Sequence, residues 1–190
     1  MGAWATGAGG HWLWVMMMCR GECGGEALSQ TPRARDMSET FLPRDEHFMR
    51  LALREAEHAL EHGDVPIGAV LVSEEELLGA GCNERELRQD PTAHAEILAL
   101  REAARALGSW RVLDSVLYVT LEPCAMCAGA IVLARVPRVI YGASDPKAGA
   151  CGSVLDVLGE PRLNHRPEVA GGLLGQECGA LLSAFFAARR

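Results

Sequence analysis

The sequence predicts an α/β fold of three layers, α/β/α, with helices on both faces of a mixed central sheet of about five strands. Three observations predict it. Segments with apolar residues at helical spacing alternate with short runs rich in Val, Leu and Ile. The first two such runs are joined by a short polar stretch, the pattern of a hairpin. The later runs are separated by helical segments, which implies parallel pairing there.

The elements follow in order. Asp45 to His62 carries Phe48, Leu51, Ala52, Ala56, Ala59 and Leu60 at helical spacing, with Gly63 placed to end the helix. Pro66 to Val72 and Leu77 to Cys82 read as two strands joined by the turn Ser73-Glu74-Glu75-Glu76. Thr92 or Asp90 is placed to cap a helix over about Ala93 to Leu107, with Gly108 beyond its end. Ser115 to Leu121 reads as a strand. Cys124 to Arg135 reads as a helix whose start suits Pro123. Val136 to Gly142 is a further strand, broken by Asp145-Pro146-Lys147. Val154 to Leu158 reads as a short helix, Glu168 to Gly171 as a short strand, and Gly175 to Arg189 as a last helix with Cys178, Leu181, Leu182 and Phe185 on one face.

Composition narrows the functional classes. Hydrophobic residues make up 49% of the 190, so the chain has the makings of a packed core. A net charge of -7 argues against binding long nucleic acid through an overall positive field, but leaves room for a local basic patch. The basic residues are almost all Arg, with Lys147 the only lysine. Compositional bias accounts for that, and a local role for Lys147 is the alternative. The seven cysteines form no regular framework, which fits a reducing, cytoplasmic setting and thiolate metal ligands better than a disulfide scaffold.

Residues 1–37 read as a disordered extension, or as sequence preceding a start at Met37, and residues 38–190 as the functional domain. The apolar run Trp12 to Met18 follows no Lys or Arg and is too short to span a membrane, so no membrane association is expected. His11, Cys19 and Cys23 have no fourth ligand nearby and are not read as a metal site.

Two motifs carry chemistry: His94-Ala95-Glu96 and Pro123-Cys124-Ala125-Met126-Cys127. Cys124 and Cys127 are spaced i, i+3, so at a helix start they face one side, where exposed N–H groups favour thiolates. His94 opens the preceding helix and completes three zinc ligands, leaving a fourth position for water. Glu96, two residues on, is placed to move protons without binding the metal. Alone, a Cys-x-x-Cys also fits a redox pair or two core cysteines, and a His-x-Glu says little. The joint pattern points to a catalytic metal. Cys151 and Cys178 are read as small core residues, and Cys82 as packing.

The sequence resembles the bacterial tRNA-specific adenosine deaminases, within the cytidine deaminase-like superfamily. His-x-Glu with Pro-Cys-x-x-Cys is an established signature of zinc nucleobase deaminases. The resemblance spans about residues 42 to 190. It includes Asp90 to Ile97, Tyr118 to Ala130, Tyr141 to Ala150, Leu163 to Arg166, and Ala184 to Phe186 with the terminal arginines. It implies hydrolytic deamination of the wobble adenosine to inosine in a tRNA anticodon loop, by zinc-bound hydroxide with Glu96 as proton shuttle. It implies one zinc ion (Zn2+) per subunit, held by His94, Cys124 and Cys127, and a homodimer. Asn83 matches the family's base-contacting Asn, with a turn residue as the plainer reading. Asp145 and Lys147 match a loop that lies against the RNA. Phe185, Phe186, Arg189 and Arg190 match the helix end bordering the anticodon loop, although Phe185 continues the apolar face and reads as core. Two rivals stand beside this reading. One is a deaminase of the same superfamily acting on a free base or nucleoside, guanine or cytidine. The other is a non-catalytic zinc-binding RNA module, against which Glu96 and the open fourth position speak.

Overall fold

A computed structural model describes residues 41–189, and the expectations for residues 1–37 and for Arg190 lie outside them. The ten elements are α1 (Pro43–Glu61), β1 (Gly68–Ser73), β2 (Glu76–Cys82), α2 (Arg85–Arg88), α3 (Ala95–Leu107), β3 (Ser115–Leu121), α4 (Ala125–Ala134), β4 (Arg138–Ala143), β5 (Glu168–Gly171) and α5 (Gly175–Ala187). The five strands form one sheet in the order β2-β1-β3-β4-β5. β1 runs antiparallel to β2 and β3, while β3, β4 and β5 are parallel. The mixed α/β/α sheet predicted from the sequence is the one observed.

Both faces of this sheet are covered, which is why its central strands read as unbroken apolar runs. Along β1, Ala69 and Leu71 join one core with Ala95, Ala99 and Ala103 of α3 and Ala128, Ile131 and Val132 of α4. Val70 and Val72 turn the other way, onto Phe48, Met49 and Ala52 of α1 and Cys178 of α5. The alanine stripe of α3 lies so close to β2 that a Cβ on Gly79 would strike the backbone of Ala99 and Ala103. Pro43 opens α1, and Asp45 accepts the Leu42 N–H at 2.7 Å and the Tyr118 hydroxyl at 2.7 Å, which ties the helix start to β3.

Four local expectations are corrected. Residues 154–158 form no helix. Cys151 bridges Asp156, and the N–H groups of Val154 and Leu155 are both given to Gly149 O. Only Leu158 of that stretch is fully buried, so its apolar residues share no helical face. Neither Thr92 nor Asp90 caps α3. His94 holds the N-cap, and Asp90 Oδ1 instead takes the Thr92 N–H at 2.8 Å and hydroxyl at 2.7 Å. Arg135 ends α4 in the left-handed region at φ 64°, and Pro137 delays β4 to Arg138. The short helix α2 has too few residues for any periodic signal.

Candidate active site

The sheet topology gathers the predicted residues at one edge. β2, β3 and β4 end there and β1 begins there, so the segments beyond Cys82, Leu121 and Ala143 converge with Val65 and Ile67. Ligands of parallel sheets bind outside the carboxyl ends of the strands. Here a cleft of about 340 Å³ opens at that edge, lined by Asn83, Arg85, His94, Glu96, Cys124, Asp145 and Phe186 among others.

Three side chains that could hold a metal ion meet here, two of them in the lining of the cleft. His94 and Cys124 are the N-caps of α3 and α4, and Cys127 lies one turn into α4. Neither side chain is spent on capping the helix it opens. His94 Nδ1 is 3.6 Å from Cys124 Sγ and 3.5 Å from Cys127 Sγ. Tetrahedral zinc, with ligands at about 2.0–2.3 Å, separates its donor atoms by about 3.3–3.8 Å. The spacing and the N, S, S donor set therefore fit one such ion. The hydrogen bond from Cys127, followed by His94, pulls the Cys124 thiol down to about 3. The Cys124 thiolate and burial push the Cys127 thiol up. A cation bound there would hold both sulfurs as thiolates, and its uptake would release the remaining proton.

Glu96 stands in the first turn of α3, lines the cleft and is buried. Burial raises its carboxyl above the usual carboxylate range, with the nearby Cys124 sulfur acting in the same direction and His94 opposing. A carboxyl tuned upward toward neutrality can both accept and return a proton, as a general acid–base must.

The remaining predicted residues divide. Asn83 is buried and faces the cleft, and its side-chain amide donates to Val65 O at 3.2 Å. Asp145 lines the cleft and fixes its own loop through the N–H groups of Lys147 at 2.9 Å and Ala148 at 3.2 Å. Lys147 is exposed beside the cleft and does not line it. Phe185 is core, as its apolar face implied, and Phe186 is exposed at the mouth of the cleft. The Arg189 guanidinium stacks 4.0 Å from the Phe185 ring and bonds Gly63 O. Arg85 also lines the cleft and carried no signal in the sequence.

Glu122 is a further residue that sequence reasoning missed. It sits between β3 and the Pro123-Cys124 step, almost wholly buried. Its carboxylate accepts the N–H groups of Asp145 (3.0 Å), Cys151 (3.0 Å) and Ser153 (3.1 Å), and the Ser153 hydroxyl. Gly149 passes so near that a Cβ there would overlap this carboxylate. One buried side chain thus holds the 145–153 loop against the Pro123-Cys124 segment. Burial alone would raise the Glu122 carboxyl, but the Ser153 hydroxyl and the backbone donors outweigh it and the carboxyl lies below the ordinary 4.5. Because the folded value is depressed, its contribution is present above the unfolded value and is lost as pH falls through the folded one. Glu122→Gln is expected to cost roughly 3 kcal/mol or more at pH 7, since buried donors lose their charged acceptor. Thermal melts from pH 7 to 3 should show a flatter acid limb for the variant. Parallel limbs for variant and parent would remove the role given to this carboxylate.

Among the described residues, no helix is long and apolar enough to cross a membrane. The family model for MafB19-like deaminases matches residues 44–190. The tRNA-specific adenosine deaminase of Bacillus subtilis (strain 168) is 52% identical over 145 residues, covering 76% of this chain and 90% of that protein. A solved tRNA:A34 deaminase, studied for A-to-I editing at the wobble position of transfer RNA, is 48% identical. It has a TM-score of 0.69 and covers 72% of this chain and 99% of its own. The guanine deaminase of Nitrosomonas europaea is 26% identical, with a TM-score of 0.63 over 77% of this chain and 85% of that one.

Proposed function

Because the chain belongs to the tRNA-specific adenosine deaminases, within the MafB19-like deaminases, we propose that its cleft deaminates the wobble adenosine of a tRNA anticodon loop to inosine. What supports this is one juxtaposition: the buried Glu96 lines the same cleft as His94 and Cys124, which cluster with Cys127, and the exposed Phe186 lines that cleft too. A stacked base cannot reach that cluster, so the target base enters splayed out of the loop.

His94, Cys124 and Cys127 would hold one zinc ion per subunit, and when bound it lowers the pKa of a water and makes it nucleophilic at neutral pH. Glu96 takes the proton of the attacking water and gives it to adenine N1 as the new O–C6 bond forms. Glu96 then passes the second proton to the exocyclic nitrogen. The C6–N6 bond breaks, ammonia leaves and the hypoxanthine ring remains. Asn83 holds the edge of the base in the cleft, and its bond to Val65 O fixes the amide for that purpose. Lys147, exposed beside the cleft, supplies local positive charge in a chain of net charge -7. The free thiols and the tRNA substrate suit a cytoplasmic enzyme.

The deciding measurement is ammonia release from an anticodon stem-loop, adenosine, guanine and cytidine in parallel. The stem-loop should turn over fastest, and Lys147→Ala should weaken its binding without changing zinc content or melting temperature. Faster turnover of guanine than of the stem-loop would overturn the tRNA reading and leave the metal cluster untouched.

The homodimer belongs to the same reading. α4 is apolar on all sides, the pattern of a helix covered from both directions. Its outer residues Ala130, Leu133 and Ala134 form an apolar surface with Ile97, Leu100 and Trp110, and Leu133 is 71% and Trp110 58% exposed. A second copy of the chain would cover it. Sedimentation should show a dimer that Leu133→Glu converts to monomer. An unchanged sedimentation coefficient in that variant would place the interface elsewhere.

A further inference from the structure

A second set of metal-ligand side chains converges beside the cleft. His62 ends α1, Cys82 ends β2, and Glu84 precedes α2. His62 Nε2 is 3.9 Å from Cys82 Sγ, and Cys82 Sγ is 3.9 Å from Glu84 Oε1. One ligand atom from each lies within 4.8 Å of the others. Imidazole, thiolate and carboxylate are the three protein donor types that zinc takes. We propose that His62, Cys82 and Glu84 form a second binding site for a zinc-class divalent cation, on the turn that carries Asn83.

Three features make this a built site. The imidazole is already oriented: His62 Nδ1 bonds Asp64 Oδ2 at 3.0 Å, which directs Nε2 toward the Cys82 sulfur. Metal-bound histidines are held in this way by a carboxylate on the far nitrogen. Asp64 is itself fixed, buried and accepting the N–H groups of Glu86 at 2.9 Å and Leu87 at 3.0 Å. Glu84 is held through its other oxygen by Arg88, so Oε1 is the one turned to the sulfur. The two spacings to the Cys82 sulfur, 3.9 Å each, are a few tenths of an ångström wider than those of the cluster on α3 and α4.

A redox role for Cys82 fits less well. Burial first, and then the Glu84 carboxylate, push its thiol up to about 11, so it carries no reactive thiolate near neutral pH. The same carboxylate attracts a cation, which displaces the thiol proton on binding. Three protein ligands leave a fourth position for water. Occupancy would tie the end of α1 to both sides of Asn83, and so stiffen the residue proposed to hold the base.

The test uses the full chain already carrying one equivalent of zinc. Equilibrium dialysis against zinc, read by elemental analysis, should add one equivalent per chain, and Cys82→Ser and His62→Gln should each abolish that addition. Asp64→Asn should weaken the added equivalent about 10–100-fold, because the imidazole is no longer held. Cobalt added to the zinc-loaded chain should give a thiolate-to-cobalt charge-transfer band that Cys82→Ser lacks. Equal metal uptake by the parent and both ligand variants overturns the proposal, whatever the total. If a variant melts before assay, the parent chain decides. The parent should bind two zinc equivalents at saturation, and a single equivalent overturns the site.

Discussion

Glu96→Gln should keep about one zinc per chain and lose between a hundredfold and ten-thousandfold or more in turnover, the range for removing a positioned general acid–base. Glutamine keeps the length and shape of the side chain, so α3 and the His94 cap are undisturbed. What it cannot do is accept the proton of water and return it to adenine. The position makes the loss severe: the carboxyl is buried, and bulk water cannot readily substitute as a base. The loss should fall on kcat more than on KM, since Glu96 acts on protons in flight rather than on the bound loop. Metal analysis and steady-state kinetics on one preparation check it. Near-parental turnover with zinc in place would take the proton-transfer role away from Glu96.

Cys124→Ser should remove zinc and activity together, with a fall of about three orders of magnitude or more, because unaided water has a pKa of about 15.7 against about 7 on a catalytic zinc. Serine is a poor substitute for a thiolate ligand, yet it is among the best helix N-caps. Since Cys124 is the N-cap of α4, this change separates loss of metal from loss of fold. Cys127→Ser should also lose zinc, but at a greater cost in stability. Cys127 is fully buried, and a hydroxyl there must find a partner or cost about 1–3 kcal/mol. Elemental analysis with melting curves for the two variants distinguishes these effects. Stoichiometric zinc in either variant would refute the ligand set.

The succession of helices and strands along the chain, the hairpin and the parallel pairing of the later strands were legible in the sequence because each is a local pattern. Apolar period, Gly and Pro punctuation, and ligand spacing act over a few residues, and here they agree with the final fold. The convergence of His94, Cys124 and Cys127 was legible for the same reason: each half is a short motif at a helix start. The misreading at Val154 to Leu158 has the opposite cause. Its backbone donors leave the helical ladder, Val154 and Leu155 for Gly149 O and Val157 for Ala150 O, and no apolar periodicity reports that.

Sequence alone determined that three zinc-type ligands and one carboxylate would sit at helix starts, and that the chain has a two-sided core to hold them. Only the tertiary structure decided which other residues face that site. Glu122 gains its meaning from a loop more than twenty residues away, and His62 meets Cys82 only because α1 and β2 end side by side. Arg85 and Phe186 reach one cleft from segments a hundred residues apart. The physical reason is that a buried carboxylate or a convergent ligand set is satisfied through space. Its partners are chosen by how the sheet orders its strands, and chain distance carries no trace of that choice.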